Sequence, residues 1–177
     1  MESKSTRIVW RAAYLVAAIG VFLVDQASKA WAVKALRFGQ EKVVIKGVLS
    51  LVYAENTGIA FGQLQEGGDL GRWFFVTLAI AAMVAVLAYF FRAPGSSDRV
   101  LGACALLLAG IAGNLIDRIR LGYVVDFILA HAGQYHWPVF NVADAAICAG
   151  ALLLAIDVIR GRHADRVPAR AETRVET

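Results

Sequence analysis

Apolar and polar residues are segregated into long blocks along this chain, and four of the apolar blocks are long enough to cross a bilayer. The first block carries no charged residue over positions 12–24 and is predicted to continue as a helix to Trp31. The other three occupy positions 73–91, 100–116 and 142–156. A bilayer core of about 30 Å needs roughly 20 helical residues, so three of these blocks need polar residues at one end of the span. The pattern predicts four transmembrane helices.

Composition supports a membrane protein and excludes several other classes. Of the 177 residues, 59% are apolar and 18% are charged, whereas an ordinary soluble domain is about 45–50% apolar. The net charge of +4 comes from basic residues near the ends of the apolar blocks, which does not indicate a nucleic-acid partner. Cys104 and Cys148 each lie inside an apolar run, which excludes a disulfide framework and a paired-cysteine metal or redox site.

Lysine and arginine predict the orientation of the spans. With four spans, both termini and the short 92–99 connection lie on one side, and ten of the 18 basic residues fall there. Basic residues in short loops favour the cytoplasm, so we expect both termini to be cytoplasmic. The first span also resembles a cleavable signal peptide, with small residues around Ala30-Trp31-Ala32. Asp25 and Lys29 would interrupt such a cleavage region, so we expect the span to be retained.

The segments outside the spans have distinct patterns. Residues 43–45 and 48–53 are β-branched and aromatic runs separated by Lys46-Gly47, which predicts a small hairpin or twisted sheet after the first span. The link between the third and fourth spans, 119–139, is too apolar for a free loop and should lie on the bilayer surface or pack against the spans. Residues 161–177 are charged and predicted to be a disordered cytoplasmic tail.

Polar residues of three spans are predicted to meet near the outer membrane face. At 1.5 Å per residue, Asp25 lies about 20 Å outward from the inner end of its span. Asn114 and Asp117 lie about 21 Å and about 26 Å outward along the third span, and Asn141 and Asp144 open the fourth span. Charged groups inside a span are costly and are usually paired or functional. We therefore expect one polar site in the outer third of the bilayer.

Purely structural roles are also open for most of these residues. Asp25 and Lys29 are four positions apart and could form an interfacial ion pair, with the lysine reaching to the headgroups. Asn141 could cap the fourth helix, with Asp144 in its first turn. Asp126 lies between apolar residues beside the membrane and is harder to explain without a partner.

The available side chains favour carboxylate chemistry at this site. Ser28 and Lys29 are adjacent and point to different sides of a helix, and Ser50 lies in the predicted sheet with no obvious base. His131 and His136 are spaced poorly for a metal pair. Two carboxylates that share a water can hydrolyse an amide, one as the base and the other, protonated, as the acid.

Five sequence blocks, in order, resemble the bacterial lipoprotein signal peptidases, the type II signal peptidase family. The resemblance covers residues 12–160, and it implies that residues 1–160 form a single membrane domain. The blocks are Asp25-Gln26-Ala27-Ser28-Lys29, Asn56-Thr57-Gly58-Ile59-Ala60-Phe61-Gly62, Gly113-Asn114-Leu115-Ile116-Asp117-Arg118, Val124-Val125-Asp126-Phe127 and Phe140-Asn141-Val142-Ala143-Asp144.

The resemblance implies an all-α integral membrane protein with four transmembrane helices. Residues 33–71 would form an extracytoplasmic β-sheet cradle, and residues 119–139 an extracytoplasmic flap over the site. The implied activity is that of an aspartic endopeptidase without metal or cofactor, in the bacterial inner membrane with its site facing the periplasm. Such enzymes cut diacylglyceryl-modified prolipoproteins on the N-terminal side of the lipidated cysteine. The implied partners are these substrates, membrane lipids and cyclic peptide antibiotics of the globomycin type, with the enzyme a monomer.

The resemblance also assigns roles to individual residues. Asp126 and Asp144 match the catalytic pair, and Asp117 matches a structural position in its block. Two neighbouring carboxylates should hold one proton between them, and we expect it on Asp126, because the positive end of the fourth helix would stabilise a charge on Asp144. The matched positions that support the pair or bind substrate or inhibitor are Asp25, Lys29, Asn56, Gly58, Asn114, Arg118, Val124 and Asn141.

Two other functions remain open on the residues alone. A small proton-coupled transporter or channel subunit would use the buried aspartates as proton or cation sites, and it predicts polar groups at every depth of the bilayer. A non-catalytic scaffold predicts that Asp126→Asn and Asp144→Asn leave function intact.

Overall fold

Four helices dominate the fold, and each is long and apolar enough to cross a membrane. The computed structural model describes residues 4–58, 69–93, 98–133 and 135–164. The four predicted spans are confirmed, although each helix is longer than its apolar block. The helices are α1 (Lys4–Leu36), α2 (Asp69–Arg92), α3 (Asp98–Leu121) and α4 (Val142–Ala164).

The last helix corrects one prediction about the tail. Residues 161–164, expected to be disordered with the rest of 161–177, continue α4 as helix. A helix propagates at the cost of one residue's conformational entropy for each hydrogen bond gained, so it extends past its apolar portion without a new nucleus. The remainder of the predicted tail lies outside the described residues.

Helix α3 is the central element, with α1, α2 and α4 packed around it. Its contact with α4 is unusually close at two glycines. A Cβ atom on Gly110 would lie 2.4 Å from the Ala143 carbonyl oxygen, and one on Gly150 would lie 2.7 Å from the Ala103 carbonyl oxygen. Small residues allow helix backbones in a membrane to approach in this way. The approach holds the start of α4 against the polar end of α3.

An antiparallel sheet lies at one end of the helices. Its strands are β1 (Lys42–Ile45), β2 (Leu49–Asn56), β3 (Val124–Ala132) and β4 (Tyr135–His136), in the order β1-β2-β3-β4. The predicted hairpin is confirmed as β1 and β2. In the pairing of β2 with β3, Ala54 is opposite Asp126 and Asn56 is opposite Val124.

Strand β3 lies in the link 119–139, for which a flap was predicted. Residues 124–132 of this link form a strand of the same sheet as β1 and β2. Val124, Val125 and Phe127 are buried there, and β2 supplies the hydrogen-bond partners that a buried backbone requires. The sheet therefore carries Asp126 on a paired strand.

The buried polar side chains of the described residues cluster at the sheet end of the helices. A transporter would need such groups along the whole depth of the bilayer, and this distribution does not match that requirement. The cluster consists of Asp25, Lys29, Ser50, Asn114, Asp117, Asp126 and Asn141.

Candidate active site

Asp126 lies on β3 with 2% of its surface exposed, and two amides hold its carboxylate. Asn56 Nδ2 donates to Oδ2 at 2.9 Å, and Asn141 Nδ2 donates to Oδ1 at 2.7 Å. The pKa of Asp126 is raised to about 6, because burial and the nearby charge of Asp144 outweigh the opposite effects of the two amides and the Lys29 charge. Asp126 is therefore the carboxyl group suited to hold a proton.

Asp144 lies in the first turn of α4, where it takes part in a reciprocal helix cap. Asn141 Oδ1 accepts the Asp144 backbone N–H at 2.8 Å, and Asp144 Oδ2 accepts the Asn141 N–H at 3.3 Å. Asn114 Nδ2 donates to Asp144 Oδ1 at 2.7 Å. The predicted cap is confirmed, and the same Asn141 also binds Asp126. Asn141 is thus both the cap of α4 and a hydrogen-bond donor to Asp126.

Asn56 is oriented by a turn that follows β2. The Gly58 N–H donates to Asn56 Oδ1 at 2.8 Å, which is an Asx-type turn. Because the oxygen is occupied by the backbone, Nδ2 is the atom that faces Asp126. The turn therefore determines which end of the amide contacts the carboxylate.

Asp126 faces an open pocket of about 480 Å³ at the sheet end of the helices. Arg118 lies at its wall, with the guanidinium carbon 5.2 Å from the centre of the Phe75 ring and Nη1 3.4 Å from the Asn114 carbonyl oxygen. The pocket combines the carboxyl groups of Glu55 and Asp126 with the guanidinium group of Arg118. Its lining consists of Ala54, Glu55, Asn56, Thr57, Gly58, Arg118, Asp126 and Val139.

Lys29 is buried beneath this pocket among polar partners. Nζ lies 2.9 Å from Asp25 Oδ2 and 2.9 Å from Asp117 Oδ2, and it donates to Asn114 Oδ1 at 2.9 Å. The predicted pairing of Asp25 with Lys29 is confirmed. The alternative in which Lys29 reaches to the headgroups is wrong, because its side chain is 3% exposed. A buried ammonium group requires such partners to offset the loss of water.

A family model described as signal peptidase (SPase) II matches residues 17–160. The chain belongs to the signal peptidase II family. This is an aspartic peptidase family.

Curated relatives support the same assignment. The chain is 41% identical over 145 residues to the lipoprotein signal peptidase of Cellvibrio japonicus (strain Ueda107), covering 82% of this chain and 85% of that protein. It is 42% identical over 163 residues to the lipoprotein signal peptidase of Pseudomonas fluorescens, covering 91% of this chain and 93% of that protein.

Two solved structures, each titled as a bacterial membrane enzyme determined by the in meso method, have the same fold. The structure at 1.9 Å resolution superposes with a TM-score of 0.76 at 30% identity, covering 84% of this chain and 94% of that chain. The structure at 2.3 Å resolution gives a TM-score of 0.75 at 28% identity, covering 91% and 95%.

Within this signal peptidase II fold, the residues predicted for the site fall into two layers. Asn56, Gly58, Arg118 and Asp126 line the pocket. The others do not line it, and Val124 is 1% exposed at the start of β3. The remaining members of this lower layer are Asp25, Lys29, Asn114, Asp117 and Asn141. Asp144 is not in the pocket lining and is hydrogen-bonded to Asn114 and Asn141 of the lower layer.

Two residues of the lower layer were missed by sequence reasoning. Gln26 Nε2 lies 3.2 Å from Asp25 Oδ2, from Asp117 Oδ1 and from the Gly113 carbonyl oxygen. A Cβ atom on Gly113 would lie 2.5 Å from Asp25 Oδ2, so only glycine leaves room for this carboxylate. Both residues lie inside sequence blocks that resemble the family, and this position was the signal that could have identified them.

A serine and a histidine meet in the sheet, contrary to the expectation that Ser50 has no base nearby. Ser50 Oγ lies 3.4 Å from His131 Nε2. Ser50 is fully buried, so a peptide substrate has no access to its hydroxyl. His131 and His136 are paired across β3 and β4 with their rings stacked 5.5 Å apart. Among the described residues, no group of three or more metal-ligating side chains occurs.

Proposed function

We propose that this protein removes signal peptides from prolipoproteins whose cysteine carries a diacylglyceryl group, cutting on the N-terminal side of that cysteine. The observation that carries the proposal is Asn141, which binds the pocket residue Asp126 and also the backbone of Asp144. This arrangement is what a hydrolytic carboxylate pair requires. The relatives named lipoprotein signal peptidase support the substrate class.

In the proposed reaction, a water molecule is activated between the two carboxyl groups. Asp144, as the carboxylate, removes a proton from the water, and the water oxygen forms a bond to the scissile carbonyl carbon. Asp126 starts protonated and donates its proton to the carbonyl oxygen. Collapse of the tetrahedral intermediate then breaks the C–N bond, and the leaving nitrogen takes a proton from the pair. The products are the signal peptide carboxylate and the free amine of the lipidated cysteine.

The contacts of each carboxyl group support this division of roles. The raised pKa of Asp126 favours its neutral form. Asp144 lies in the first turn of α4, where the positive end of the helix stabilises a carboxylate. The reaction needs only these two side chains and water, with no metal or cofactor.

The proposed setting is the bacterial inner membrane, with both termini in the cytoplasm and the pocket facing the periplasm. Basic residues at the opposite end of the helices support this orientation. The acyl chains of the substrate would remain in the lipid while its cleavage site reaches Asp126. We expect a monomer that contacts membrane lipids, and a cyclic peptide antibiotic of the globomycin type should compete with substrate for the pocket.

The test is cleavage of a purified prolipoprotein in detergent, with and without the diacylglyceryl group. Wild type, Asp126→Asn and Asp144→Asn are compared, with Asp157→Asn as the matched control farther along α4. We expect cleavage of the lipidated form alone, with kcat lowered at least about 1000-fold in both pair variants and unchanged in the control. Asp117→Asn is unsuitable as the control, because Asp117 is ion-paired with Lys29.

Each contrary outcome has its own meaning. Activity that survives in both pair variants would place catalysis on other residues. Equal cleavage of the unlipidated form would remove the lipid requirement. A wild-type enzyme that leaves the lipidated substrate uncut would overturn the proposed function and favour the transporter alternative.

A further inference from the structure

Lys29 uses all the hydrogen-bonding capacity of its ammonium group on three neighbours. Its Nζ contacts Asp25, Asp117 and Asn114, each at 2.9 Å. An ammonium group has three N–H donors, so each proton has one partner. The lysine lies on α1, whereas Asp126 and Asp144 lie on β3 and α4. Lys29 therefore lies on a different element from each aspartate, and any restraint it places on their positions must pass through these three partners.

Each carboxylate paired with Lys29 also binds the backbone immediately before one of the proposed catalytic residues. Asp25 Oδ1 accepts the N–H of Ala143 at 2.8 Å, one residue before the α4 aspartate. Asp117 Oδ2 accepts the N–H of Val125 at 3.3 Å, one residue before the β3 aspartate. Asp25 and Asp117 are therefore the two carboxylate arms of the Lys29 cluster. Each arm binds the backbone N–H one residue before a proposed catalytic aspartate, on a different element.

The third N–H of Lys29 is linked through Asn114 to the side chains of Asp126 and Asp144. Asn114 Oδ1 accepts from Lys29, and Asn114 Nδ2 donates to Asp144 Oδ1 at 2.7 Å. The same Asn114 oxygen accepts from Asn141 Nδ2 at 3.1 Å, and Asn141 Nδ2 also contacts Asp126 Oδ1 at 2.7 Å. Each of the three N–H groups of Lys29 is therefore linked to Asp126 or Asp144 through one or two intervening groups.

We propose that Lys29 is a positioning residue whose single ammonium group sets the separation and orientation of Asp126 and Asp144. This inference rests on the proposed function, because it assigns those two aspartates the chemistry. Two neighbouring carboxylates on separate elements repel each other when both are charged, so the fold needs an attraction that holds β3 and the start of α4 together. Lys29, with its two carboxylate arms, supplies that attraction from a third element.

The first test compares Lys29→Met with Lys34→Met in the lipidated prolipoprotein assay. Lys34 is an exposed lysine on the same helix, so its variant should retain the wild-type kcat. We expect Lys29→Met to lower kcat by about 100-fold, the loss typical of reacting groups displaced by about 1 Å. KM should remain close to wild type, because Lys29 has no contact with the pocket.

The pH profile separates positioning from a purely structural role. The charge of Lys29 lowers the pKa of Asp126, so Lys29→Met should move the alkaline decline of kcat/KM to higher pH. A structural role alone would reduce the amount of folded enzyme and leave the profile in place. The charged groups that surround this site are Asp25 from α1, Asp117 and Arg118 from α3, Asp126 from β3 and Asp144 from α4.

Single-arm variants keep the inference testable if Lys29→Met does not fold, since removing one partner of a buried ion pair is costly. Asp25→Asn and Asp117→Asn each retain an oxygen that can accept the backbone N–H but lose the charge. Asp25→Ala and Asp117→Ala lose both. We expect kcat to fall in the asparagine variants and to fall further in the alanine variants, with KM little changed.

The Lys29 inference and the proposed function are contradicted by different measurements. A folded Lys29→Met enzyme with wild-type kcat and pH profile would overturn the inference. So would wild-type kcat in both asparagine variants, should Lys29→Met be unfolded. Cleavage by the wild-type enzyme reports on the proposed function separately, because it does not depend on any Lys29 variant.

Discussion

Asn141 Nδ2 lies 2.7 Å from Asp126 Oδ1, so the residue that caps α4 also holds the carboxyl group on β3. The cap itself is made by the other end of the same amide, which accepts the Asp144 N–H at 2.8 Å. Asn141 has no exposed surface. Because one rigid amide satisfies both contacts, any motion of α4 relative to β3 would break one of them.

Two substitutions of Asn141 should separate these roles. Asn141→Ser keeps an N-cap oxygen but is too short to reach Asp126, whereas Asn141→Ala loses both contacts. We expect Asn141→Ala to lower the free energy of unfolding by about 1 kcal/mol and Asn141→Ser to cost less. Both should lower kcat about 10-fold, as loss of a hydrogen bond worth about 1.5 kcal/mol predicts. Thermal unfolding and cleavage kinetics measure the two effects, and full activity in Asn141→Ser would contradict the contact to Asp126.

The activity should depend on the proton held by Asp126. Burial raises its pKa to about 6, above the ordinary value of about 3.9. Because the neutral form is the proposed proton donor, we expect kcat/KM to decline as the pH rises through about 6. The free energy of unfolding should change with pH in the same direction. The stability contributed by protonated Asp126 is fully present below about pH 3.9 and is lost as the pH rises through about 6.

Asn56 offers a way to move that pH dependence. Its hydrogen bond lowers the pKa of Asp126, so Asn56→Ala should raise the pKa and shift the alkaline decline of kcat/KM to higher pH. The measurement is the pH profile of cleavage for both enzymes. A shift to lower pH, or activity that rises through about pH 6 in wild type, would contradict Asp126 as the proton donor.

Gly113 should be intolerant of a side chain. Its Cβ would lie 2.5 Å from Asp25 Oδ2 and 3.1 Å from Ala143 Cβ, which displaces the carboxylate that binds the start of α4. We expect Gly113→Ala to lower the free energy of unfolding by about 1–3 kcal/mol and to lower kcat. Gly20→Ala on α1 is the control, because nothing lies within 4 Å of its Cβ position. Equal behaviour of the two variants would argue against the close approach of Asp25.

Ser50 should be dispensable for cleavage. Its hydroxyl contacts His131, which makes a serine mechanism a natural rival, but the residue is fully buried in the sheet. We expect Ser50→Ala to retain wild-type kcat/KM, with at most about 1.5 kcal/mol of stability lost with the hydrogen bond. Activity lost from a folded Ser50→Ala enzyme would favour serine chemistry over the carboxylate pair.

Features determined by local spacing could be predicted from the sequence. The four spans follow from the length of apolar residues that a bilayer requires, and the pairing of Asp25 with Lys29 follows from the helical repeat. The cap made by Asn141 likewise involves residues three positions apart. The convergence of polar groups at one end followed from the rise per residue along each helix. The catalytic roles came from the resemblance to the family, and they remain predictions.

Features that depend on contacts between distant segments were decided only by the tertiary structure. The second ion pair of Lys29 joins α1 to Asp117 on α3, and the pairing of β2 with β3 brings Asn56 to Asp126. Neither contact has a local pattern in the sequence, because helix packing and strand register are determined by the burial of whole faces. The sequence by itself determined which residues are polar and how deep each lies in the membrane. The packing of the four helices and the sheet decided which of those residues meet.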